Sequence, residues 1–76
     1  MIQEYLFMDD THRAAVESYQ PDKVAVEFSN IDNSTCWTVT YSLSGENEDT
    51  AAALSKVNDY VMVNYSPTVL TNESAA

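Results

Sequence analysis

The chain has 76 residues, of which twelve are Asp or Glu and only three Lys or Arg, giving a formal net charge of -9. Negative potential of that size on so small a body repels nucleic acid and anionic membranes and attracts basic surfaces. The length suits a single small domain with little apolar area to spare, and one cysteine, Cys36, with one histidine, His12, supplies neither a disulfide nor a transition-metal site to brace it.

Residues 2–8 form the first strand candidate, with Tyr5 and Phe7 on one side and Leu6 and Met8 on the other. Glu4 lies inside this only apolar run of the N-terminus and two aspartates follow it, which is not the pattern of a signal peptide. The lone cysteine points to a reducing compartment. The expected location is therefore cytoplasmic.

Asp9 or Asp10 is placed to cap a short helix over residues 11–19, since an acidic side chain accepts bonds from the free N–H groups of a first turn. Ala14, Ala15 and Val16 suit that helix. Pro21 ends it, because the residue before a proline is pushed out of the helical region.

The clearest element comes next. Val24, Val26 and Phe28 alternate with Ala25, Glu27 and Ser29, and Trp37, Val39, Tyr41 and Leu43 alternate with Thr38, Thr40 and Ser42. Period-two patterning with β-branched and aromatic residues marks two strands with one buried face. The turn formers Asn30, Asp32, Asn33 and Ser34 between them allow a hairpin but not a parallel crossover. Phe28 and Trp37 are expected to face the same core.

Beyond Gly45, the carboxylates of Glu46, Glu48 and Asp49 stand just ahead of an Ala-rich run, as at a helix start near Asn47. Leu54, Val57, Val61 and Tyr65 carry an apolar stripe at helical spacing. Residues 60–65 also suit a strand, but the persistence of the stripe favours helix. The tail, residues 68–76, is polar and small after Leu70 and is expected to fray. The fold expected is α+β: a small antiparallel sheet from the hairpin of about residues 23–43 and the N-terminal strand, with one or two helices on one face, all within residues 1–67. The alternative, with residues 60–65 as a strand, is the ferredoxin-like βαββαβ order.

Catalytic chemistry needs groups in complementary roles, and few are present. A single glycine rules out a glycine-rich phosphate loop, and there is no Gly-x-Ser-x-Gly elbow. The stretch from Asn30 resembles a calcium loop only briefly, since Thr35 stands where glycine is required and Tyr41 where the bidentate glutamate belongs. Glu46, Glu48 and Asp49 are explained by helix capping without a cation. No enzyme activity, cofactor or metal is expected. With Arg13, Lys23 and Lys56 as the only basic residues, direct binding to nucleic acid is not expected either.

The acidity itself remains. The candidate partner-binding residues are Glu46, Glu48, Asp49, Asp9, Asp10, Asp32, Glu27 and Asp59, with the densest group at Glu46. In size, acidity, single-domain α+β plan and lack of a catalytic signature, the chain resembles the small inhibitors that phages make against host nucleic-acid enzymes, including anti-CRISPR and other DNA-mimic proteins. The resemblance is one of character across the whole chain, and no motif carries it. It implies a non-enzymatic protein, acting in the host cytoplasm, that blocks the basic nucleic-acid site of an enzyme or CRISPR effector. The alternative is a small homodimeric structural or regulatory module whose charge serves only solubility.

Overall fold

Alternating side chains decide the centre of the molecule. In the computed structural model, which describes residues 1–75, Ala25–Asn30 (β2) and Trp37–Ser42 (β3) form the expected hairpin, with Phe28 opposite Val39 and Val26 opposite Tyr41. Trp37 lies on that same face. The connecting turn closes through Ser34 N–H to the Ile31 carbonyl at 3.0 Å, and its central residues Asp32 and Asn33 both have positive φ, 49° and 56°. Asp and Asn tolerate this left-handed backbone better than other side chains do.

The N-terminal strand Ile2–Phe7 (β1) pairs antiparallel with β3 from Ile2–Ser42 to Phe7–Trp37. Its burial alternates strictly: Gln3, Tyr5 and Phe7 point into the core, whereas Ile2, Glu4 and Leu6 are only partly covered. Asp9 caps helix Asp10–Glu17 (α1) by accepting the Thr11 N–H at 2.8 Å. Asn47 caps helix Glu48–Asn64 (α2) in a reciprocal box with Thr50, each backbone N–H bonded to the other's side chain at 3.0 Å. Residues 60–64 are thus helical, and Tyr65 is the C-cap.

The tail departs from expectation. Residues 68–72 do not fray: Thr68–Asn72 is a fourth strand (β4), antiparallel to β1 on its outer side, and Glu73–Ala75 follows as a 3-10 turn. The Glu73 carboxylate accepts the Ile2 N–H, and Ser74 N–H donates to Gln3 Oε1 at 3.2 Å. Ala76, the end of that expected tail, lies outside the described residues. The sheet order is β2-β3-β1-β4, every pair antiparallel. The element order βαββαβ is therefore reached with α2 intact, its last strand coming from the tail rather than from residues 60–65.

Both helices pack on one face. Val16 of α1 and Leu54, Val57 and Val61 of α2 are fully buried with Tyr5, Phe7, Val39 and Tyr41, and each of the aliphatic side chains and Phe7 contributes about 1.5–3 kcal/mol by leaving water. Tyr19 stacks on Tyr60 with ring centres 3.9 Å apart, joining the end of α1 to α2. Among the described residues no helix covers the other face, so the sheet is open on one side.

Candidate protein-interaction surface

The register places each candidate carboxylate. Phe7, Trp37 and Asn30 mark one end of the sheet; Ile2, Ser42 and Ala25 mark the other. Asp9 and Asp10 follow β1 out of the Phe7 end, and Asp32 sits on the hairpin turn at that end, where Thr35 Oγ1 donates to the Met8 carbonyl at 3.2 Å. Glu46, Glu48 and Asp49 gather at the Ile2 end, on and before the first turn of α2. Glu27 projects from β2 onto the open face, and Asp59 lies exposed on α2 between the ends. The eight residues are therefore not one patch. They make two terminal groups, one residue on the open face and one on the helical side.

The open face adds a residue that charge counting passed over. Glu27, Thr40, Glu4 and Thr71 stand in one cross-strand row, with Glu4 Oε2 accepting from Thr40 Oγ1 at 3.4 Å. Around them the face shows Ser29, Thr38, Thr68, Ser42 and Ala25, with Ile2 and Leu6 from β1. Among the described residues of its strands, this face carries two carboxylates and no basic side chain. The alternation of Glu4 with Gln3 and Tyr5 was its only signal in the sequence. Glu73 likewise joins the Ile2 end through the unexpected fourth strand.

Of the three basic side chains, Arg13 is already engaged. Its guanidinium bonds Asp10 at 2.9 Å and Glu17 across successive turns of α1, and its side chain is only 15% exposed. Asp10 is accordingly a partnered carboxylate rather than a free one. Asp9 is different. The Thr11 N–H, with a smaller contribution from His12, holds its carboxyl below the ordinary value of 3.8, so it stays ionised throughout the neutral range.

A cleft of about 150 Å³ opens at the Phe7 end, where β1, α1, α2 and β4 meet. Phe7, Met8, Asp9, His12, Tyr65 and Pro67 line it. The Tyr65 ring lies 5.5 Å from His12 and 6.2 Å from Phe7. Met8 is 63% exposed, and its sulfur accepts from the Cys36 thiol at 3.6 Å on the hairpin side. Among the described residues no three His, Cys, Asp or Glu side chains come together as a metal site, and no helix is long and apolar enough to cross a membrane.

No family model, curated protein or solved structure matches the chain.

Proposed function

We propose that the protein is a non-enzymatic acidic binder that occupies the basic nucleic-acid site of a larger enzyme or CRISPR effector. The observation that carries this reading is the spread of charge along a narrow body of 36 × 22 × 21 Å. Four strands spaced about 4.8 Å apart make a sheet less than 20 Å wide, so the long dimension follows the strands and the turns at their ends. Carboxylates stand at both ends of that axis and, through Glu4, Glu27 and Asp59, between them.

Spacing decides what such a body imitates. Nine net charges over 36 Å are one per 4 Å. Duplex DNA carries one per about 1.7 Å of axis, more than twice as dense, whereas each strand alone carries one per about 3.4 Å. The match is to a single strand, and the fitting receptor is a groove that holds one strand of DNA or RNA. The row of Glu27 and Glu4 across a Ser/Thr-rich open face supplies acceptors for the arginines and lysines that line such grooves.

Affinity capture from cell lysate at low salt, followed by elution with single-stranded and duplex nucleic acid, tests the reading. A basic nucleic-acid-binding protein released by single strands, in a complex that weakens steeply with salt, supports it. Capture of no such protein, or of a partner that nucleic acid does not displace, overturns it. The homodimer alternative draws on the unpaired outer edges of β2 and β4. Because each copy carries the same negative charge, that association would strengthen as salt rises, the opposite slope.

A further inference from the structure

We propose that the cleft at the Phe7 end is a receptor for a guanidinium group, the socket for one arginine side chain of the partner. The inference rests on the reading of a basic partner and names where one anchor of that partner enters.

Three independent features of the cleft favour a planar organic cation. The first is the ionised Asp9 carboxylate on its rim. Its Oδ1 accepts the Thr11 N–H, and a carboxylate has room for about four hydrogen bonds, so acceptor capacity remains for an incoming donor. The second is the C-terminus of α2. That helix of 17 residues ends at this cleft with Tyr65 as its C-cap and no basic side chain in its last turn. No charged side chain of the helix offsets the partial charge of about -0.5 at its C-terminus, although Ser66 Oγ donates to the Met62 carbonyl and Asn64 Nδ2 to the Tyr60 carbonyl, each at 2.8 Å.

The third feature is the walls. Tyr65, Pro67 and the Met8 thioether, over the buried Phe7, give an aromatic and apolar part of the lining against which a guanidinium stacks and an alkyl stem packs. An ammonium ion, compact and strongly hydrated, would lose more solvation for less contact. The volume fits as well: a cavity of about 150 Å³ accepts a group the size of benzene. The His12 ring also lines the cleft, 5.5 Å from the Tyr65 ring.

Titration of the isolated protein with Nα-acetyl-arginine amide, followed by amide and methyl NMR, tests the site. Saturable shifts confined to Met8, Thr11, His12 and Tyr65 are expected, with at least tenfold weaker binding of the uncharged citrulline analogue. Asp9→Asn, which keeps a good N-cap, should weaken the arginine probe at least fivefold with thermal unfolding little changed. Shifts that follow Glu46, Glu48 and Asp49 instead, equal binding of citrulline, or an unaffected Asp9→Asn variant would overturn the proposal. Failure here leaves a captured basic partner standing; cleft binding without any captured partner removes the functional reading and keeps the guanidinium site.

Discussion

The guanidinium carbon of Arg13 stands 4.3 Å from the centre of the Trp37 ring. One of the three basic side chains thus faces inward over an aromatic at the end of β3, held at its tip by Asp10 and Glu17. This contact docks α1, whose only fully buried side chain is Val16, against the sheet. A partly desolvated cation–π pair is worth about 1 kcal/mol, more than the exposed ion pairs add. Arg13→Ala should lower stability by about that amount and shift Trp37 emission to the red as the ring meets water. An unchanged denaturant midpoint and spectrum would show that α1 docks without this pair.

The capping box at the start of α2 makes a second stability prediction. Asn47 and Thr50 satisfy two backbone donors that would otherwise be orphaned beside Gly45, whose φ of 93° turns the chain into the helix. Asn47→Ala should cost about 1 kcal/mol, a loss of about 4–8 °C in Tm for a domain of this size. Scanning calorimetry measures it directly. Thr50→Val, which removes the reciprocal bond while keeping the shape, should lose a comparable amount.

Charge reversal separates the three acidic regions. Glu46, Glu48 and Asp49 changed together to Lys, Glu4 and Glu27 changed together to Lys, and Asp32 changed to Lys each remove charge from a different part of the long axis. If a single-strand groove is the receptor, each set should weaken the complex at least tenfold and flatten its dependence on salt. Loss confined to one set would locate the contact in that region alone. The triple change also removes carboxylates from the first turn of α2, so its fold is checked by circular dichroism before affinity is compared.

Alkaline pH should unfold the protein through its tyrosines. Burial pushes Tyr5 up to about 12 from an ordinary 10.0, and burial raises Tyr41 and Tyr19 as well. The folded state keeps these protons where the unfolded chain releases them. The stabilisation is complete below pH 10 and is lost as pH rises from there towards about 12. Tyrosinate absorbance and circular dichroism should therefore change together in that window. Tyr5→Phe, which also removes the 2.8 Å bond from the Tyr5 hydroxyl to Asn58, should flatten the alkaline limb while costing about 1 kcal/mol at neutral pH.

The hairpin and α2 were legible because their signals are local. Period-two alternation around Phe28 and Val39, and the stripe of Leu54, Val57 and Val61 behind an Asn cap, need no knowledge of the rest of the chain. β4 left no such mark. It is a short edge strand, and its register shifts where it meets Glu4 and Tyr5, so no simple alternation of Thr68, Val69, Leu70 and Thr71 survives. Acidic residues could be counted in the sequence, but whether they share a face depends on which end of each strand they leave. The cleft is less visible still, since Phe7, His12 and Tyr65 meet only after the whole sheet is assembled.

That late assembly makes the C-terminal segment the sharpest test of the fold. If residues 68–75 were a loose tail, truncation after Pro67 would leave stability unchanged. In the structure β4 bonds along β1, the Glu73 carboxylate accepts the Ile2 N–H, and the buried Gln3 amide oxygen takes the Ser74 N–H. Removing the segment would turn β1, the strand that carries Tyr5 and Phe7, into an unprotected edge and leave the Gln3 oxygen without that donor in the core. A buried polar group losing its partner costs about 1–3 kcal/mol, and the ladder bonds and partly buried side chains of β4 add to this. A domain this small has a margin of only about 4–11 kcal/mol. The truncated chain should therefore lose cooperative thermal unfolding or melt far below the full-length protein. Amide hydrogen exchange in the full chain should show β4 N–H groups protected with those of β1; exchange at the rate of free peptide would place these residues outside the folded unit.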